Sequence, residues 1–358
     1  MAFFPILQPL KDNHDFRGQV RWKCPSNIAL IKYWGKKPVQ LPANASISFT
    51  LDRAHTITSV QYQARSASDK WVQFSFEGKE EESFEKRIVK YLSSITSDIP
   101  WIEQLSFRIE SENSFPHSSG IASSASSMGA LALCLCDIEK EIFKLSDEPL
   151  FRKKVSYLSR LGSGSACRSV YPRIAAWGSS AEIENSSDLY AVTVDGLHDV
   201  YNDFHDDILI VSDQEKAVSS SAGHALMDSN IFADKRYEQA RMHISTLLTT
   251  MKNGDLHAFG KIIEDEALTL HALMMCSDPS YILMEPSTLE VIKRIRSFRK
   301  KTGLPVFFTL DAGPNVHILY PHHIASEAAT FINDRLLSLS HQGKIIRDQV
   351  GLGPSKLK

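Results

Sequence analysis

Apolar and polar residues alternate along several stretches of the first 110 positions. Residues 19–34 form two alternating segments broken by Cys24-Pro25-Ser26-Asn27, which predicts two strands joined by a turn. Residues 46–51, 56–62 and 71–76 repeat with a period of two, the pattern of antiparallel strands with one wet face. The period then changes. Phe84, Ile88, Val89 and Leu92 fall on one face of a helix over 83–95, which turns Arg87 and Lys90 away from it. A strand at 105–109 leads into a helix over 122–143. A second helix over 150–161 follows the capping sequence Ser146-Asp147-Glu148-Pro149. Strands are predicted at 189–194 and 207–211, with the polar, acidic stretch 198–206 between them as an interdomain link. Helices follow over 231–251, 255–275 and 287–301, then strands at 306–310 and 316–320, a last helix over 326–337 and a strand around Ile345.

The length of 358 residues exceeds the roughly 250–300 at which single cores stop growing, so the chain divides into two domains, 1–200 and 201–358. An apolar content of 43%, a charged content of 23% and a net charge of −2 exclude a global basic field for nucleic acid. The five cysteines show no zinc or redox spacing and read as reduced thiols. Met1-Ala2-Phe3-Phe4-Pro5 lacks a basic leader region and no run approaches the ~18 apolar residues of a membrane span, so the expectation is a cytoplasmic protein with no membrane partner. His257, His271, Glu264, Asp265 and Glu266 share a helix without a metal-ligand spacing and are read as a solvated face; no metal site is assigned.

Five stretches carry candidate chemistry. Phe115-Pro116-His117-Ser118-Ser119-Gly120-Ile121-Ala122-Ser123-Ser124-Ala125-Ser126-Ser127 opens directly onto the helix 122–143. A helix start offers unpaired N–H groups and a partial positive charge, Gly120 permits close approach, and the serines add donors, which together suit a phosphate. Taken alone, the stretch also reads as a Ser/Gly loop before a core helix. Lys32 interrupts an apolar strand, so it either lies on a wet face or has an anionic partner. Gly162-Ser163-Gly164-Ser165-Ala166-Cys167-Arg168-Ser169 is a plain turn or a wrapping loop in which Arg168 offers a bidentate fork. Asp311, in Asp311-Ala312-Gly313-Pro314-Asn315, ends a buried strand, a suitable place for a general base as well as for a turn-forming Asx side chain. Lys216 and Ser219-Ser220-Ser221 form a third hydroxyl-rich segment.

In this order the motifs resemble the GHMP kinase superfamily, and within it the diphosphomevalonate decarboxylase family. The resemblance is carried by Ser26-Asn27-Ile28-Ala29-Leu30-Ile31-Lys32-Tyr33-Trp34-Gly35-Lys36, by the serine loop from Phe115, by the Gly162–Ser169 string and by the Asp311–Asn315 string, and it spans about nine-tenths of the chain. It implies an α+β, two-domain GHMP kinase fold, with an N-terminal domain like domain 2 of ribosomal protein S5 and a ferredoxin-like C-terminal domain. It implies ATP-dependent decarboxylation of 5-diphosphomevalonate to isopentenyl diphosphate, with ATP as cosubstrate, Mg²⁺, and a homodimer. Asp311, Lys32 and Arg168 would be the catalytic residues. Tyr33, Trp34, Gly35, Lys36, Arg87, Ser163, Gly164, Ser165, Ala166, Cys167, Arg168 and Ser221 would hold the diphosphomevalonate. Pro116, Ser118, Ser119, Gly120, Ile121, Ala122, Ser123, Ser124 and Ser126 would hold ATP. Relatives that decarboxylate the monophosphate, that only phosphorylate the 3-hydroxyl of mevalonate, or that bind an isoprenoid diphosphate without catalysis are the alternatives. Where the family reads P-T-A-A-G this chain has Pro116-His117-Ser118-Ser119-Gly120, which places a histidine and two further hydroxyls near the phosphates.

Overall fold

The computed structural model describes residues 4–7, 10, 16–115, 121, 123–214 and 218–358. Its strands are β1 (Arg17–Ile31), β2 (Lys36–Lys37), β3 (Leu41–Pro42), β4 (Ser46–Ala64), β5 (Val72–Phe76), β6 (Lys79–Glu80), β7 (Leu105–Asn113), β8 (Ile174–Trp177), β9 (Ala191–Thr193), β10 (His205–Leu209), β11 (Phe307–Leu310), β12 (Val316–Tyr320), β13 (Ile345–Gln349) and β14 (Ser355–Leu357). The α-helices are α1 (Glu82–Ile95), α2 (Ser123–Phe143), α3 (Glu148–Gly162), α4 (Ala166–Ser169), α5 (Ser220–Ala225), α6 (Ala233–Asn253), α7 (Leu256–Met275), α8 (Pro286–Thr302) and α9 (Ala325–Phe331).

The two strands expected over 19–34 are one, and so are the two expected over 46–62. β1 and β4 pair antiparallel along most of their length, with a register jump from Pro25 opposite His55 to Asn27 opposite Thr50. Proline and the bulge coincide because proline cannot donate to a ladder. On β4 the N–H groups of Asp52, Arg53 and Ala54 donate instead to the buried carboxylate of Asp348 at 2.9, 2.8 and 2.6 Å. Both long strands therefore continue through the irregularity with their polar groups satisfied. A second correction concerns residues 71–76: β5 runs parallel, not antiparallel, to its neighbour β7.

The first sheet has the order β14-β1-β4-β7-β5-β6, with β8 on β4 and β9 on β8; the second has the order β11-β12-β10-β13. α2 packs across the first sheet and buries Leu131, Leu133, Cys134 and Leu135. The Asp147 side chain caps α3 by accepting from Leu150 N at 2.9 Å, and Asp255 caps α7 by accepting from Ala258 N at 3.0 Å. Ile28, Leu30 and Phe49 of the first sheet share one cluster with Ile208, Phe259 and Phe307 of the second half, so a common core fixes the two halves against each other. At about 1.5–3 kcal/mol per buried large apolar side chain, this contact strongly resists opening. α7 lies so near β11 that a Cβ on Gly260 would meet the Phe307 ring at 2.0 Å. The last helix is shorter than expected, ending at Phe331 before a π turn (Ile332–Leu336). After β13 the chain returns to the first sheet through β14, an excursion the sequence pattern does not announce.

α7 also corrects the solvated-face reading. Glu264, Glu266 and His271 are buried, and only His257 and Asp265 keep substantial exposure. The Glu264 carboxylate accepts from Arg299 and Arg296, and partners supplied by distant elements make its burial tolerable.

Candidate active site

Lys32 follows β1 directly, and the apolar run that precedes it carries it into the interior, where it is 1% exposed. Its Nζ donates to the Ala29 carbonyl at 2.6 Å. Burial brings its ammonium down to about 8, against the opposing fields of Asp311 and Glu266. The Lys32 main chain is also pinned. Its N–H donates to Glu266 Oε2 at 2.8 Å, and its carbonyl accepts from Asn44 Nδ2 and from Arg236.

The Gly162–Ser169 stretch holds α4, a one-turn helix where the sequence showed only a loop. Arg168 on this turn is 1% exposed. Its Nε donates to Ser48 Oγ at 3.0 Å, NH1 to Ser46 Oγ at 2.5 Å and NH2 to Asn27 Oδ1 at 3.2 Å. Asn27 is held in turn, donating to Ser169 Oγ at 2.7 Å and to the Ser165 carbonyl at 3.1 Å. Three neutral acceptors thus fix the plane of the guanidinium, and among the described residues two of its five N–H donors are left over. Burial lowers its pKa; the negative charge of Asp311 works in the opposite sense.

Asp311 lies one residue past the buried β11, whose four residues come from an apolar run that sits between α7 and β12. Its backbone carbonyl accepts from His271 Nε2 at 3.1 Å and from Gly313 N at 2.8 Å, which sets the turn. Its charge acts on Lys32, Arg168 and His224 alike, so the carboxylate stands among all three.

A cleft of about 860 Å³ between the two halves receives these groups. Asp311, Lys32 and Arg168 line it together, as do Tyr33, Trp34 and Lys36. Ser163, Gly164, Ser165 and Ser221 reach the same space, and Arg87 stands on its α1 wall beside Lys90. Ser123 and Ser124 line it from the start of α2. Ser124 Oγ lies 3.2 Å from Ser163 Oγ, which joins the two small-residue segments. Other expected site residues do not face it. Ala166 and Cys167 are fully buried behind the Gly164 turn, the thiol donating to the Gly164 carbonyl at 3.0 Å. Gly35 backs the cleft, with φ +92° and no room for a Cβ, which would meet Tyr237 Oη at 2.2 Å. Ile121 is packed in the core, and Ser126 turns its hydroxyl to Thr56 Oγ1 at 2.6 Å. Pro116, Ser118, Ser119, Gly120, Ala122 and Lys216 lie outside the described residues.

The cleft also contains residues outside the expected ligand sets. Ser127 lines it where Ser126 does not, because a helix turns 100° per residue. His224 lines it as well, from α5, with Nδ1 accepting the Gly35 N–H at 3.0 Å. An extended apolar wall of Phe74, Phe76, Phe84, Tyr91, Met128 and Leu131 closes the end near α1. A spacing of three and four on α1 was a usable signal for Tyr91; nothing in sequence marked His224.

The fold and its cleft define a two-domain protein of the GHMP kinase fold. A family model described as diphosphomevalonate decarboxylase-like N-terminal domain matches residues 24–191, and one described as mevalonate 5-diphosphate decarboxylase C-terminal domain matches 207–353. The chain belongs to the diphosphomevalonate decarboxylase family. The diphosphomevalonate decarboxylase of Debaryomyces hansenii is 33% identical over 311 residues, covering 83% of this chain and 78% of that one. The crystal structure of mevalonate diphosphate decarboxylase from Staphylococcus aureus superposes with a TM-score of 0.81 at 29% identity, covering 96% of this chain and 99% of the other. A structure of MDDEF in complex with MVAPP, AMPPCP and magnesium gives 0.81 at 28% identity, covering 96% and 100%.

Proposed function

We propose that the protein is an ATP-dependent carboxy-lyase that converts (R)-5-diphosphomevalonate into isopentenyl diphosphate, ADP, phosphate and carbon dioxide, a step of the mevalonate pathway to isoprenoids. The observation that carries this reading is the meeting of one carboxylate, Asp311, with two fully buried cations, Lys32 and Arg168, on the wall of one cleft. A structurally similar protein binds MVAPP, AMPPCP and magnesium.

In this reading Asp311 takes the proton of the tertiary 3-hydroxyl, with the Lys32 ammonium close enough to feel its charge. The hydroxyl oxygen bonds to the γ-phosphorus of ATP and ADP leaves. The carbon–carbon bond to the carboxylate then breaks as the C3–O bond breaks; its electron pair becomes the alkene, and carbon dioxide and phosphate depart. Lys32 and the two N–H donors of Arg168 that no described residue takes meet the charge on the leaving phosphate. Tyr33 Oη, buried on the cleft wall without a hydrogen-bond partner among the described residues, suits a substrate oxygen. Lys36, Arg87, Ser163, Ser165 and Ser221 supply donors for the diphosphate, and the start of α2 with Ser123, Ser124 and Ser127 supplies them for ATP.

Mg²⁺ enters as the ATP complex. The Asp311 carboxylate and the α2 hydroxyls are oxygen donors of the kind a hard cation takes, and the ion would neutralise charge on the transferring phosphoryl group. The same reading divides the chain near residue 200, within the gap between the two matched segments. It also gives a homodimer in the cytoplasm, where the free cysteines fit a reducing compartment.

Incubation with ATP, Mg²⁺ and either mono- or diphosphomevalonate tests the reaction. Carbon dioxide and alkene from the diphosphate alone are expected. Release from the monophosphate would move the substrate class, and ADP without carbon dioxide would make the protein a 3-kinase.

A further inference from the structure

His224 is not part of any role assigned above, yet four features fix its state. Its ring packs on Tyr33 at 4.3 Å and on Trp34 at 4.6 Å between centroids. Its neighbour Gly223 lets α5 approach so closely that a Cβ there would meet the Trp34 ring at 2.7 Å and Tyr281 Oη at 2.6 Å. Its Nδ1 accepts the Gly35 N–H, so Nδ1 carries no proton. Burial, reinforced by the positive charge of Lys36 and opposed by Asp311, holds the ring at about 3, so it is neutral at physiological pH. A neutral imidazole with an accepting Nδ1 bears its proton on Nε2. No described residue is bonded to Nε2, and the residue is 8% exposed, lining the cleft.

We propose that His224 is a substrate-binding residue whose Nε2–H donates to a phosphate oxygen of the diphosphorylated substrate, beside Lys36 and Ser221. The inference rests on the diphosphomevalonate reading for the identity of that anion. Lys36, Ser221 and Nε2–H line the same cleft: a charge, a hydroxyl and a neutral donor. The tautomer is set by the main chain rather than by the ligand, so the donor is oriented before the substrate arrives, and little ordering cost falls on binding.

The test uses His224→Phe, which keeps a ring to pack on Tyr33 and Trp34, and His224→Gln, whose Nε2 restores a donor at the same reach. Kinetics with diphosphomevalonate and calorimetric binding of diphosphomevalonate are both measured. The phenylalanine variant is expected to raise KM and Kd for diphosphomevalonate about 10- to 100-fold, leave KM for ATP within about threefold, and take most of its loss in KM rather than kcat. Glutamine should recover most of the affinity. Unchanged Kd in the phenylalanine variant, or equal losses in both variants, overturns the inference. The function reading fails separately, in the parent enzyme, if no carbon dioxide is released; calorimetry on parent and variants then still decides the donor.

Discussion

The main-chain N–H of Lys32 donates to the side chain of Glu266, 2.8 Å away and 234 residues later in the chain. Glu266 is fully buried and also accepts from Arg236 at 2.7 and 2.6 Å and lies 2.7 Å from His243 Nδ1. One carboxylate on α7 thereby fixes the strand end that presents Lys32 to the cleft. Glu266→Gln should cost about 3–5 kcal/mol of stability, because it leaves Arg236 buried without its counter-charge. Although burial alone would raise its pKa, Arg236, His243 and the Lys32 N–H bring it to about 2, below the unfolded 4.5. The stability it contributes is complete above pH 4.5 and is lost as pH falls toward 2. Denaturant midpoints of parent and variant should converge over that interval; a constant gap would deny Glu266 its charge.

Lys32 makes the opposite contribution. Its folded value of about 8 lies below the unfolded 10.5, so the protonated amine opposes folding at neutral pH, and that penalty fades as pH rises from 8 to 10.5. Lys32→Met should therefore melt higher than the parent at pH 7 without substrates, the advantage shrinking above pH 8, while carbon dioxide release falls about 100-fold or more. A methionine variant that melts lower at pH 7 would contradict this.

Asp311→Asn keeps the shape of the strand end and removes proton acceptance. Turnover should fall by at least ~1000-fold with ATP affinity close to the parent, measured by carbon dioxide release and nucleotide titration. Activity within ~10-fold of the parent would end the general-base role.

Arg168→Lys tests geometry at constant charge. Ser46, Ser48 and Asn27 each take one guanidinium N–H, and a single ammonium cannot satisfy all three and still reach the cleft. The lysine variant should lose about 100-fold in kcat and some stability, because buried hydroxyls lose partners. Normal KM and kcat would show that the fork is dispensable.

These residues also show what the sequence could and could not disclose. Lys32 and Asp311 were legible because each breaks its local pattern, a charge inside an apolar run and a carboxylate at a strand end. The period-two alternation located β4, but not its continuity through residues 52–54, which depends on Asp348 nearly 300 positions away. Glu264, Glu266 and His271 looked solvated because a helical period reveals a face, not the arginines brought to it by α6 and α8. His224 was invisible for the same reason: Gly35, Tyr33 and Trp34 give it meaning, and they lie some 190 residues earlier.

The serines at the start of α2 give the sharpest test of the phosphate site, because the helix sorts them by direction. Ser123, Ser124 and Ser127 line the cleft, and Ser126 faces Thr56 inside the protein. Each hydroxyl that meets a charged phosphate oxygen is worth roughly 1.5–3 kcal/mol, so alanine at that position should cost about 10- to 100-fold. The loss should fall on kcat where the hydroxyl meets charge developing in the transition state, and on KM for ATP where it grips only the ground state. Ser124 carries a further consequence: its hydroxyl lies against Ser163, so Ser124→Ala should also weaken diphosphomevalonate, whereas Ser123→Ala should not. Ser126→Ala is the control, expected to lower the melting temperature modestly by removing the 2.6 Å hydrogen bond to Thr56, whose hydroxyl still donates to Asn113 Oδ1, and to leave ATP kinetics unchanged. If Ser126→Ala alone impaired ATP use while the other three substitutions were silent, the phosphates would have to lie on the far side of the helix from the cleft.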